Sequence, residues 1–348
     1  MPHRNRAAAS AQATCATWLI IVTACGISDP GRAEPVGCLA AYADIKDSMT
    51  ARFADAGNDA ALIVRVDGKT VCRLFVGAYT PETRVATASA AKWLTAATVL
   101  TLVDQGAVRL NSKTADFFPT APAATAGITL TQLLSHTSGL LWFSRCMGRR
   151  DDTLQECAQS ILESDQQFEP GTQFFYAGPP FTVAGAMAER ATGTKWETIF
   201  RLKIGDPLAM SHTSYGDSPN PALSEGEMVS NADDYARFAQ MILDGGVYAG
   251  RRLLSDAAIV EMRRNRTAGL PVASSPIAGT PYGLGVWLEA LDAAGNGTVL
   301  SSPGVGGFVP IVDFNRRMVV VLTVQDEKLW PAINAMLAHV RAVADRER

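Results

Sequence analysis

Residues 84–106 read Arg84-Val85-Ala86-Thr87-Ala88-Ser89-Ala90-Ala91-Lys92-Trp93-Leu94-Thr95-Ala96-Ala97-Thr98-Val99-Leu100-Thr101-Leu102-Val103-Asp104-Gln105-Gly106. After Lys92 the apolar residues recur at three- and four-residue spacings, which predicts an amphipathic, buried helix stopped by Gly106. Ser89 and Lys92 stand three apart and so share a helix face. A lysine in an apolar setting can give up its proton near neutral pH and activate a neighbouring hydroxyl. Taken alone, a Ser-x-x-Lys is weak, because seven lysines make chance matches common. A capping serine beside a surface lysine explains the tetrapeptide equally well, so its surroundings decide.

Those surroundings describe an α+β chain. Upstream, a helix is expected over residues 39–54. Ala60–Val66 and Thr70–Val76 flank Asp67-Gly68, a strong hairpin signal. Downstream, strands are expected at Tyr282–Leu288, Thr298–Ser301, Phe308–Phe314 and Met318–Val324, followed by a helix over Trp330–Ala344. Helical patterns fill the middle. The economical architecture is one domain over residues 34–346. Its antiparallel sheet and terminal helices come from 39–85 and 275–346, its helical part from 86–274, and its site lies between them.

The 348 residues carry a net charge of −3 and no basic patch, which argues against a nucleic-acid partner. No P-loop, dinucleotide fingerprint or paired metal-ligand spacing is present, so neither a cofactor nor a metal is expected. At the N-terminus, Arg4 and Arg6 precede a short apolar run, Ala16–Ala24, as in an export signal. Gly31-Arg32-Ala33 would suit cleavage at 33. Val22-Thr23-Ala24-Cys25 resembles a lipobox, which would leave a lipid anchor on Cys25. Either way a periplasmic destination is expected, free or membrane-anchored. Export permits disulfides. Pairings Cys38–Cys72 and Cys146–Cys157 are expected, with free buried thiols the alternative.

Beyond the first helix, Ile128-Thr129-Leu130-Thr131-Gln132-Leu133-Leu134-Ser135-His136-Thr137-Ser138-Gly139-Leu140 is followed by Glu169-Pro170-Gly171-Thr172-Gln173-Phe174-Phe175-Tyr176. Later come Asn231-Ala232-Asp233-Asp234-Tyr235 and Met241-Ile242-Leu243-Asp244-Gly245-Gly246. In this order, from about residue 40 to 345, the chain resembles the serine β-lactamase-related hydrolases of the class C type. That group includes class C β-lactamases, D-alanyl-D-alanine carboxypeptidases and family VIII esterases. The resemblance implies a β-lactamase/penicillin-binding-protein-like fold and an acyl-enzyme at Ser89. Lys92 would take or share the hydroxyl proton. Tyr176, in the family's Tyr-x-Asn position, would act as base or relay. The backbone N–H groups of Ser89 and of a strand edge near Val305 would form the oxyanion hole. The His136 block is structural in the family pattern. No Gly-x-Ser-x-Gly elbow is present.

Two departures bear on substrate. The second motif reads Tyr176-Ala177-Gly178, without its asparagine. The third, Lys-Thr-Gly or His-x-Gly in relatives, falls at Ser302-Pro303-Gly304 or one residue earlier, without a cation. A hydrogen bond to a charged group contributes roughly 1.5–3 kcal/mol, so carboxylate recognition should fall about ten- to a hundredfold. An ester needs no such anchor. The reading is an exported serine hydrolase for small esters or amides, with weak or no β-lactam turnover and Gly178, Ser302 and Gly304 at the substrate edge, which Gly178 and Gly306-Gly307 suggest is roomy. The alternatives are a β-lactamase or D-alanyl-D-alanine carboxypeptidase acting on β-lactams or cell-wall peptides, or a non-catalytic relative that binds cell-wall peptides.

Overall fold

A computed structural model describes residues 35–149, 151–224 and 228–348. The export signal, both processing sites and Cys25 lie outside the described residues. Asp67 and Gly68 both take positive φ (48° and 75°). That is the mirror-image turn which matches the twist of a two-residue hairpin. It folds strand β2 (Ala60–Val66) onto β3 (Lys69–Val76), and β1 (Gly37–Cys38) pairs outside β3. Four late strands complete the sheet: β4 (Trp287–Leu291), β5 (Gly297–Ser301), β6 (Phe308–Asp313) and β7 (Met318–Thr323). The order is β1-β3-β2-β7-β6-β5-β4, antiparallel throughout. The two chain ends meet where β7 pairs β2, with Val66 opposite Met318.

Both faces of that central pair are covered, so β2 and β7 are nearly all apolar, with Arg65 and Thr323 the exceptions. Leu62, Val64, Val320 and Leu322 pack under helix α1 (Ala43–Met49) and the C-terminal helix (Trp330–Arg346). Ile63, Val319 and Val321 face the other way, toward the helical part. There helix α2 (Ala91–Asp104) is buried at every residue from Ala91 to Leu102. This corrects the amphipathic expectation: with no wet face, α2 is a central core helix. Helix α3 (Pro179–Thr192) begins on two prolines and ends at left-handed Gly193, whose N–H returns to the Glu189 carbonyl. Helix α4 (Ala232–Leu243) carries the Asn231 cap; the C-terminal helix is α5.

One expected strand is misplaced. Tyr282–Val286 is loop, with a single bridge from Tyr282 to Trp287, and β4 starts only at Trp287. Gly285, at φ 75°, lies so close to α2 that a Cβ would sit 2.5 Å from Ala96 Cβ and 2.7 Å from the Lys92 carbonyl oxygen. The glycines that looked like strand interior are a turn pressed on the helix. Disulfides join Cys38 to Cys72 and Cys146 to Cys157, the pairing expected. No helix among the described residues is long and apolar enough to cross a membrane.

Candidate active site

Ser89 sits in a tight turn at the start of α2. The preceding Ala88 has φ 46°. A left-handed non-glycine costs of order 1–3 kcal/mol and persists only where its surroundings enforce it. They do so through the backbone carbonyls. Gln325 Nε2 donates to the Ala86 oxygen (3.1 Å), Ser302 Oγ to the Ser89 oxygen (3.2 Å) and Tyr235 OH to the Ala90 oxygen (2.7 Å). Thr87 donates both its N–H and its hydroxyl to the Met228 oxygen (2.9 and 3.1 Å). Sheet and helical part therefore clamp the turn together.

Lys92, one turn into the helix, is 2% exposed. Its Nζ donates to Ser89 Oγ at 3.2 Å and to the Ser224 carbonyl oxygen at 2.7 Å. The Tyr176 ring centroid lies 4.7 Å from the same nitrogen. A backbone carbonyl thus meets the amine where the sequence lacks the family's asparagine. No residue signature pointed to Ser224, because any residue type carries a carbonyl.

Tyr176 is positioned from two sides. Its N–H donates to the Ser274 oxygen (3.1 Å), and its ring stacks on Trp287 with centroids 5.2 Å apart. On the other face lies the His136 ring, at 4.4 Å. His136 is fully buried, and its Nδ1 accepts the Ala177 N–H at 3.2 Å. Burial, and secondarily the Lys92 charge, hold its pKa well below the usual histidine value. A neutral imidazole packed on the phenol fits the structural part expected of this block.

The third-motif residues correct the sequence expectation. Ser302 is 2% exposed and its hydroxyl is turned back to the Ser89 carbonyl, away from the site opening. Gly304 gives no room: a Cβ there would collide with the Thr87 carbonyl and come 3.1 Å from Ala88 Cβ. Gly178 is buried at the start of α3. The space beside Gly307 is filled by Val324 and Ile333. Val305 lies in a turn between β5 and β6, outside any strand, and is 63% exposed. Its carbonyl accepts Trp330 Nε1–H (3.0 Å), and its N–H meets no acceptor among the described residues.

Ser89 and Tyr176 open into a cleft of about 860 Å³. Its walls are largely apolar, with Trp287, Trp330, Ile277, Val309 and Leu337 contributing. Glu289 is its one charged residue among the described ones, and no Lys or Arg replaces the missing cation. The residues the sequence did not single out are these walls and Glu289.

A family model described as Beta-lactamase matches residues 50–343. The chain belongs to the beta-lactamase family. Penicillin-binding protein 4 of Amycolatopsis lactamdurans is 31% identical to it over 240 residues, 59% of this chain and 63% of that protein. The match thus spans less than two thirds of that relative's length. A candidate beta-lactamase from Bacteroides dorei DSM 17855 superposes with a TM-score of 0.77 at 27% identity, over 86% of this chain and 98% of that one. A family VIII carboxylesterase shares the fold with a TM-score of 0.68 at 20% identity, over 87% and 99% of the two chains. The antiparallel sheet with its helical part is the arrangement of this family.

Proposed function

We propose that this family member is an exported serine hydrolase that forms an acyl-enzyme at Ser89 and acts on neutral esters or small amides. The observation that carries the reading is the buried Lys92 Nζ at 3.2 Å from Ser89 Oγ. The Ser89 hydroxyl proton passes to Lys92 or to the Tyr176 oxygen while Oγ attacks the substrate carbonyl. The N–H groups of Ser89 and Val305 receive the developing oxyanion. Collapse expels the alcohol or amine, which is protonated through Lys92 or the Tyr176 phenol. Water then repeats the sequence on the acyl group, releasing the acid and regenerating Ser89. No cofactor enters.

Preference for esters over β-lactams or D-Ala-D-Ala peptides is supported by the cleft. Those substrates bring a carboxylate, and the described walls offer it no cation but rather Glu289. Disulfides in two places agree with an oxidising compartment outside the cytosol. A second reading, turnover of β-lactams or cell-wall peptides, is favoured by the likeness to a protein named penicillin-binding protein 4.

Hydrolysis of p-nitrophenyl butyrate and of nitrocefin, by the wild type and by Ser89→Ala, tests both. Ester turnover that disappears in the variant, with nitrocefin slow or untouched, is expected. Efficient nitrocefin turnover would give the second reading precedence. Identical background rates in both proteins would overturn the hydrolase and leave a peptide-binding relative.

A further inference from the structure

Glu289 is a conspicuous residue in the cleft. Along β4, Leu288 pairs with Leu300 and Ala290 with Val299, so Glu289 is an extra residue with no ladder partner of its own. Such a bulge re-aims a side chain and commonly does so beside a site. Here both Trp287 and Glu289 line the same cavity as Ser89. The cavity continues to α5, where Trp330, Asn334 and Leu337 form the wall. One further turn along that face, Arg341 Nη2 donates to Glu289 Oε2 at 2.6 Å. The two side chains of this pair are 34% and 32% exposed, so it is a weak, exchangeable one.

Aromatic faces beside a carboxylate, whose partner Arg341 is partly exposed and itself outside the cavity wall, make a poor seat for an anion. They make a good one for an ammonium group, which gains from ring quadrupoles and from the carboxylate together. We infer that the Glu289 end of the cleft is a subsite for a cationic group of the substrate, an alkylammonium carried on its alcohol or acyl part. The substrate cation takes the place of Arg341 on Glu289 and lies against Trp287 or Trp330. This inference rests on the hydrolase reading and adds the charge of the substrate to it.

Isosteric ester pairs isolate that charge. Butyrylcholine is compared with 3,3-dimethylbutyl butyrate for a cation on the alcohol. The p-nitrophenyl esters of 4-(trimethylammonio)butanoate and 5,5-dimethylhexanoate do the same for the acyl side. In at least one pair the cationic member should be favoured in kcat/KM by roughly tenfold. Glu289→Gln should bring that ratio close to one. Arg341→Gln, which leaves Glu289 without its internal partner, should raise it severalfold. Binding of benzyltrimethylammonium, followed by the fluorescence of the cleft tryptophans, should weaken about tenfold in Glu289→Gln and tighten in Arg341→Gln.

Ratios near one in both pairs, unmoved by either variant, would overturn the subsite while leaving the hydrolase standing. Absence of turnover with all four esters would remove the hydrolase reading, and the ammonium titration would still decide the subsite. Ammonium binding that is equal in the wild type and both variants would sink it there too.

Discussion

At the scale of single residues, Lys92 and His136 show how burial assigns different work to two bases. Lys92 Nζ donates to the Ser89 hydroxyl, the proposed nucleophile. Lys92→Ala should therefore lower kcat/KM for p-nitrophenyl butyrate by roughly 10²–10⁴-fold, with a cooperative unfolding transition retained as the check that the fold survives. Among the described residues the His136 ring meets aromatic rings and accepts a backbone N–H, and its pKa is depressed. In the unfolded chain it binds a proton near pH 6.5, whereas the native state resists that proton. Its contribution is thus present above about pH 6.5 and lost as pH falls, at up to about 1.4 kcal/mol per pH unit. Urea midpoints measured from pH 7.5 to 5 should fall more steeply for the wild type than for His136→Asn. Parallel slopes would show that the imidazole is already charged in the fold.

At the scale of elements, two glycine-bearing segments press on the backbone on either side of Ser89 in sequence. Gly304, between β5 and β6, lies on the Thr87 carbonyl, and Gly285 lies on the Lys92 carbonyl. A methyl group added at Gly304 meets backbone, which cannot swing aside as a side chain can. Gly304→Ala should cost about 1–3 kcal/mol in denaturant unfolding and lower the acylation rate more than substrate binding. A variant with unchanged stability and rate would mean the loop yields freely. These contacts also explain what was legible in the sequence. The hairpin and three of the late strands are local patterns that spacing exposes, whereas the Ser89–Lys92 pair is a local spacing that counted only beside the other family blocks. Gly285 invited a reading of strand and Gly307 one of roominess, because a missing side chain looks the same in both. The Ser224 carbonyl and Glu289 became visible only through contacts made across the fold. A backbone oxygen leaves no mark in the residue types, and a bulge depends on register.

At the scale of the whole molecule, the two disulfides close loops of different length. Cys38 and Cys72 are 34 residues apart, tying the edge strand to the hairpin, while Cys146 and Cys157 are 11 apart. Loop-closure entropy predicts a loss of about 4 kcal/mol for Cys38→Ser/Cys72→Ser and about 3 kcal/mol for Cys146→Ser/Cys157→Ser. Guanidinium titrations of the two double variants should preserve that order. A reversal would place the larger effect in native packing around the shorter loop.

The pairing of β2 with β7 also has a bearing on how the chain is made. Synthesis delivers the hairpin early, but its sheet neighbour and the α5 half of its covering layer arrive last. Until Met318–Thr323 emerges, Ala60–Val66 has a bare edge and an uncovered apolar face, the features that invite aggregation. An unfinished copy therefore stays recognisable to chaperones and proteases, and the nascent nucleophile turn waits for Ser302, Gly304 and Gln325 to clamp it. On the proposed role of Ser89, a chain that stops short of its final strand would hold the serine in a turn that lacks one of its clamps, Gln325.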